Sequence, residues 1–184
     1  MHCIKQDLWA TLCTCIGEDP QREGLKDTPK RVKALWGHLM QGYSCDPEQI
    51  LQSAFSIERC DGIVLLKDIE FYSMCEHHLL PFFGHVSVGY IPKDRVVGLD
   101  AIAKLVEAFS RRLQIQERLS EEIASTFERI LQPKGVGVFC VAKHLCMAMR
   151  GVQKQEAVVK TSALKGLFKS DARTRAEFMQ LLQS

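Results

Sequence analysis

Apolar residues recur every three or four positions at both ends of the chain, and every second position through part of its middle. Ile4, Leu8, Leu12 and Cys15 keep helical spacing and predict a helix over residues 4–17, stopped at Gly17. A polar run from Glu18-Asp19-Pro20 to Leu25-Lys26-Asp27 reads as a loop. Thr28 then suits a helix cap, and Pro29 suits the first helical position, where a missing N–H costs nothing. Val32, Leu35, Trp36 and Leu39 supply the apolar stripe of this second helix, and Gly42 closes it.

From about residue 63 the period changes. Residues 63–72 are rich in branched and aromatic side chains, and Val86, Val88 and Tyr90 alternate with His85, Ser87 and Gly89, so both segments predict strands. Two helices follow. One starts at Asp100 and buries Ile102, Val106, Phe109 and Leu113; the other covers about 116–131 and buries Leu119, Ile123, Phe127 and Ile130. Strands return at 136–146 and near 156–161, and a last helix over 171–182 buries Phe178, Leu181 and Leu182. The order predicts an α+β domain with an antiparallel sheet over residues 61–184, preceded by a helical segment over 1–60.

Composition narrows the function. The 184 residues are 46% hydrophobic and 25% charged, with 24 Lys plus Arg against 22 Asp plus Glu. A net charge of +2 predicts no nucleic-acid or membrane partner, so any anion must be held by local clustering of charge. No basic segment followed by an apolar run opens the chain, and no apolar stretch reaches membrane-spanning length, which predicts a cytoplasmic protein. Eight cysteines then read as reduced thiols with a metal role for some of them, rather than as four disulfides. Cys13 and Cys15, two apart on a helix, read as packing residues, and Cys3, Cys45, Cys60 and Cys140 carry no evident role.

The densest chemistry is Ser73-Met74-Cys75-Glu76-His77-His78, with His144-Leu145-Cys146 as a second cluster. Two residues between Cys75 and His78 let one turn place a thiolate and an imidazole on the same ion. On a strand, His144 and Cys146 face the same way. Thiolate and imidazole donors together suit zinc. Two arrangements are open at this point. Cys75, His78, His144 and Cys146 make a closed structural site, whereas three ligands leave room for a water and free His77 and His144 for acid–base work.

Eight segments stand out along the chain: Asp27-Thr28-Pro29-Lys30-Arg31-Val32, the Cys75-Glu76-His77-His78 cluster, Tyr90-Ile91-Pro92-Lys93, Gly98-Leu99, Gln116-Glu117-Arg118-Leu119, His144-Leu145-Cys146-Met147, Met149-Arg150-Gly151-Val152 and Gly166-Leu167-Phe168-Lys169. In composition and order this series resembles the GTP cyclohydrolase I family. The resemblance implies the tunnelling fold, in which sheets from several subunits join into a barrel, and a homodecamer with active sites at subunit boundaries. It implies zinc on Cys75, His78 and Cys146, guanine held by Gln116 and Glu117, and phosphate held by Arg150, with Arg31, Lys104 and Asp100 in the substrate region. The implied substrate is GTP. Metal-activated water attacks C8, His144 protonates the imidazole ring and His77 shuttles protons, and the products are formate and dihydroneopterin triphosphate.

The chain departs from the family beside the implied phosphate site. The family usually has Ser-Lys after Gly98-Leu99, where this chain has Asp100-Ala101, and the lysine expected three residues after Arg31 is Ala34. An Asp capping a helix supplies its own anion to donors that otherwise bind phosphate. The pair therefore opens a second expectation, a paralogue acting on a less phosphorylated guanine compound, beside a third, a zinc-stabilised subunit without turnover.

Overall fold

The computed structural model describes residues 8–56 and 60–183 of the chain. They form two compact units that meet in sequence between His38 and Leu39. The first unit holds α1 (Leu8–Ile16) and most of α2 (Thr28–Leu39). The start of the expected first helix, with Ile4 and also Cys3, lies outside the described residues. Helical spacing is present in both helices, yet the stripes it predicts are largely open: Leu8, Leu12, Cys15, Val32 and Leu35 are exposed, and Trp36 and Leu39 are half-buried. The buried side chain of α1 is Cys13, while Cys15, expected to pack, is exposed.

The second unit begins with a short 3-10 turn, Gln41–Ser44, and α3 (Pro47–Leu51). Asp46 caps α3 by accepting from the Glu48 and Gln49 backbone N–H groups, with Pro47 at the first helical position. The strands are β1 (Phe55–Ser56), β2 (Val64–Cys75), β3 (Pro81–Ile91), β4 (Arg95–Val96), β5 (Leu113–Gln114), β6 (Gly135–His144) and β7 (Val159–Gly166). The helices are α4 (Leu99–Ser110), α5 (Gln116–Leu131), α6 (Leu145–Ala148), α7 (Leu167–Ser170) and α8 (Ala172–Gln183). The α+β class is the one expected. The main sheet runs β5-β2-β3-β6-β7 and is antiparallel except for the two-residue β5–β2 pair, which is parallel. That exception matters, because it lays the segment leading into α5 beside the end of β2. Leu113, expected on α4, belongs to β5 instead.

Alternation of side chains divides the sheet into two faces. Val86, Val88 and Tyr90 of β3, with Val136, Val138, Cys140 and Ala142 of β6, join Ile102, Leu105 and Val106 of α4 and Leu119, Ile123 and Phe127 of α5 in the main core. Tyr90 packs its ring 5.5 Å from that of Phe127 and accepts a hydrogen bond of 3.2 Å from the Val97 N–H. A smaller cluster of Ile91, Phe168 and Phe178 holds α7 and α8. It depends on the paired glycines Gly89 and Gly137. A Cβ on Gly89 would meet Phe178 at 2.6 Å, and one on Gly137 would meet it at 2.8 Å, so the bare backbone makes room for that ring. Among the described residues, no helix is long and apolar enough to cross a membrane.

Candidate metal centre and its pocket

The end of β2 turns tightly before β3. Cys75 N–H donates to the Leu80 carbonyl at 2.9 Å, and the Cys75 carbonyl accepts from His78 at 3.3 Å and from Leu79 at 2.9 Å. Leu79 takes a left-handed conformation, φ 53°, to complete the turn. Backbone strain of this kind collects where the surrounding structure must hold an unusual shape. The result places both histidines near the Cys75 thiol: His77 Nδ1 is 3.9 Å from Sγ and His78 Nδ1 is 3.7 Å from it.

Cys146 reaches the same place by a route the sequence pattern does not predict. The strand ends at His144, and Cys146 sits in the single helical turn of α6, so strand alternation does not align the two residues as expected. Donor atoms of Cys75, His78 and Cys146 all lie within 4.8 Å of one another. Two thiols and an imidazole are a borderline-soft set, consistent with a metal site. His144 is outside this group, and its Nε2 is engaged by Gln116 Oε1 at 2.8 Å. The group is thus a three-donor arrangement, not the closed four-ligand one. Burial pushes the Cys146 thiol pKa up, and neighbouring Cys75 adds to the effect.

A pocket of about 190 Å³ opens beside the three donors, lined also by His77, Phe82, Gln116, Glu117 and His144. His144 is half-buried and its ring stacks on Phe82, with centroids 4.7 Å apart and planes 5° from parallel. Burial lowers the His144 pKa, and the Glu117 charge partly opposes this. Glu117 is exposed in the first turn of α5, and among the described residues it has no hydrogen-bond or ion-pair partner. Gln116 differs, being 1% exposed with its amide used inside the chain. Arg150 follows α6 and donates from Nη1 to His78 Nε2 at 2.6 Å. Because a guanidinium only donates, His78 Nε2 is the acceptor there.

The turn is tied to α5 by an ion pair that sequence reasoning missed. Arg118 donates to both carboxylate oxygens of Glu76, at 2.6 and 3.1 Å, and this holds the Glu76 carboxyl below its usual range. The Glu76 N–H also donates to the Gln114 carbonyl at 3.1 Å. Phe82 was missed too, although its position just beyond the histidine cluster was a usable signal.

Three expected substrate residues lie outside the pocket lining. Asp100 and Lys104 form an ion pair of 2.6 Å and line a different, larger cleft of about 580 Å³ with Ser44, Gln49 and Gly98. Asp100 does not cap α4 as expected. The cap is Gly98, and Asp100 stands in the first turn, its pKa lowered chiefly by the Lys104 contact. Ala101 beside it is buried at 3% exposure. Arg31 belongs to α2 and lies 3.8 Å from Asp27.

Fold and site together define a class: an α+β protein in which three donors that could hold a metal ion border a pocket carrying histidines and an exposed carboxylate. A family model described as GTP cyclohydrolase I matches residues 5–183. The chain is 63% identical over 169 residues to GTP cyclohydrolase 1 of Helicobacter acinonychis (strain Sheeba), covering 92% of this chain and 94% of the relative. It is 60% identical over 164 residues to GTP cyclohydrolase 1 of Wolinella succinogenes, covering 89% and 88%. Among solved structures, an archaeosine synthase QueF-Like in the apo form aligns with a TM-score of 0.45 and 23% identity, covering 59% of this chain and 97% of that one. The chain belongs to the GTP cyclohydrolase I family.

Proposed function

We propose that the chain is a GTP cyclohydrolase, converting GTP and water to 7,8-dihydroneopterin triphosphate and formate. The observation that carries this reading is the convergence of Cys75, His78 and Cys146 on one pocket with His144 and Glu117, in a chain 63% identical to a protein named for that activity. The donor set fits zinc, held by Cys75, His78 and Cys146. Zinc bound there supplies a Lewis acid that lowers the pKa of water and so makes it a nucleophile near neutral pH.

The protein's own groups do the remaining work. Glu117, exposed beside the pocket, accepts the guanine ring N–H and amino protons as a bidentate carboxylate. His144, half-buried at the pocket, exchanges a proton with the opening imidazole ring. His77, exposed at the pocket mouth, carries protons to and from solvent during the second hydrolysis. Arg150 holds a phosphate oxygen through the donors that do not face His78. Two waters are consumed as C8 leaves as formate, and one is lost when the rearranged sugar closes onto the diamine.

Arg31, Asp100 and Lys104 belong to the triphosphate region in this reading, and another subunit brings them to the pocket. A homodecamer is therefore part of the proposal. The open sheet supports it: β7 is an edge strand, and Tyr72, 51% exposed, stacks on Phe83 on the face away from the main core. The residues lining the pocket all fall within the proposed catalytic segment 61–184. A cytoplasmic location keeps the two ligand thiols reduced. The test is turnover by purified, zinc-loaded protein offered GTP, GDP, GMP and guanosine in parallel, read as formate and as the fluorescent pterin formed on oxidation. Product from GTP is expected; product mainly from a less phosphorylated compound supports the paralogue, and none from any overturns the enzyme reading.

A further inference from the structure

Gln116 opens α5 and lines the pocket, yet its side-chain amide is spent on contacts inside the chain. Its Nε2 donates to the carbonyls of Cys140 and Val159, each at 3.1 Å, and to Thr161 Oγ1 at 3.2 Å. Carbonyl oxygens only accept, so these contacts decide which way the amide faces: nitrogen toward β6 and β7, oxygen toward His144. The Oε1 atom only accepts, and it lies 2.8 Å from His144 Nε2, so that ring nitrogen carries a proton. The cradle has a further member. Ser120 Oγ donates to the Gln116 carbonyl at 3.1 Å, which leaves Thr161 as the donor in the 2.8 Å contact between the two hydroxyls. With Phe82 stacked on its face and Gln116 fixed at its edge, the His144 ring is defined in plane and in tautomer.

We propose that Gln116 is a positioning residue that acts through His144, and that its side chain does not hold guanine. It keeps the proton on Nε2 and leaves Nδ1 as the ring nitrogen that exchanges a proton with the substrate. This rests on the cyclohydrolase reading above, which gives His144 its proton-transfer role. The division of labour in the motif follows: buried Gln116 sets the histidine, and exposed Glu117 meets the base.

The experiment compares kcat and KM for GTP in zinc-loaded wild type, Gln116→Met, Thr161→Val, Thr161→Ser and Glu117→Gln, with zinc content and thermal unfolding measured on each. Gln116→Met is expected to lower kcat about tenfold or more with KM within about twofold, within the range that acid–base groups contribute. Thr161→Val lowers kcat in the same sense by a few-fold, and Thr161→Ser, which keeps the hydroxyl, restores it. Glu117→Gln raises KM instead. A raised KM with unchanged kcat in Gln116→Met overturns the proposal, as does wild-type kcat in both Gln116→Met and Thr161→Val. Should Gln116→Met fail to fold, the Thr161 pair carries the test. If the wild type itself releases no formate from GTP, the cyclohydrolase reading has failed. A crystal structure of Gln116→Met then still decides the positioning role, by whether the His144 ring keeps its orientation over Phe82 or leaves it.

Discussion

The pocket beside Cys75 and the cleft beside α4 differ in how their polar groups are held. In the pocket, a turn closed by backbone bonds, a bidentate Glu76–Arg118 pair and the Gln116 amide each fix a group to which the proposed mechanism gives a task. In the cleft, Asp100 and Lys104 are exposed and satisfy each other. The cleft is about three times larger, at about 580 Å³ against about 190 Å³, yet it holds no metal-ligand group among the described residues. Volume therefore says little about where the chemistry is. Convergent donors with supporting hydrogen bonds say more, because positioning must be settled before the reaction.

That contrast is most severely tested by removing a donor. Cys146→Ala is expected to abolish stoichiometric zinc binding and to lower formate release about a thousandfold, the scale of several kcal/mol of Lewis-acid stabilisation. Metal content and product together read it. Removal of the histidine comes next. His144→Asn should keep its zinc and lose about a hundredfold in kcat. Loosening the support is milder: Arg118→Ala frees the Glu76 end of the turn and should weaken zinc binding by about tenfold, as outer-shell partners do, which competition with a chelator would measure.

The cleft should respond differently. Asp100→Ser releases Lys104 from its ion pair and removes a negative charge from the first turn of α4, so KM for GTP should fall a few-fold with kcat unchanged. An unchanged KM would remove Asp100 from the substrate region. Adding a lysine at position 101 is a poorer probe, because Ala101 lies in the core. The smallest effect concerns pH. Glu121 of α5 pairs with Lys165 of β7, and that contact lowers its pKa. A lowered carboxylate pKa contributes stability that is full above the ordinary carboxylate value and is lost as pH falls through the folded one. Glu121→Gln should therefore lower the urea midpoint slightly near neutrality and leave it unchanged at acid pH, which flattens the acid side of the profile.

Much of this was legible in the residues, for reasons that differ by element. Helix α5 matches its expected span of 116–131, because its apolar spacing is regular and nothing competes with it. The three residues of the candidate metal group were legible as clustered cysteines and histidines, a signal that needs no knowledge of the chain path. The route of Cys146 was not, since a one-turn helix is too short to show a period. The start of α4 was displaced because an Asp suits both the cap and the first turn, and Gly98 makes the actual bend. The N-terminal stripes were legible as helices but not as surfaces: spacing fixes which residues share a face, not what covers it. Thr161 was beyond reach, because it meets Gln116 from 45 residues away, through a strand pairing that no local pattern encodes.

The most direct test of the account is to strip the protein of metal with a chelator, reload it with zinc, and follow formate release from GTP alongside far-ultraviolet circular dichroism. The account predicts that formate release disappears on stripping and returns with zinc while the secondary structure is retained. Undiminished release from protein shown to hold no metal would contradict it.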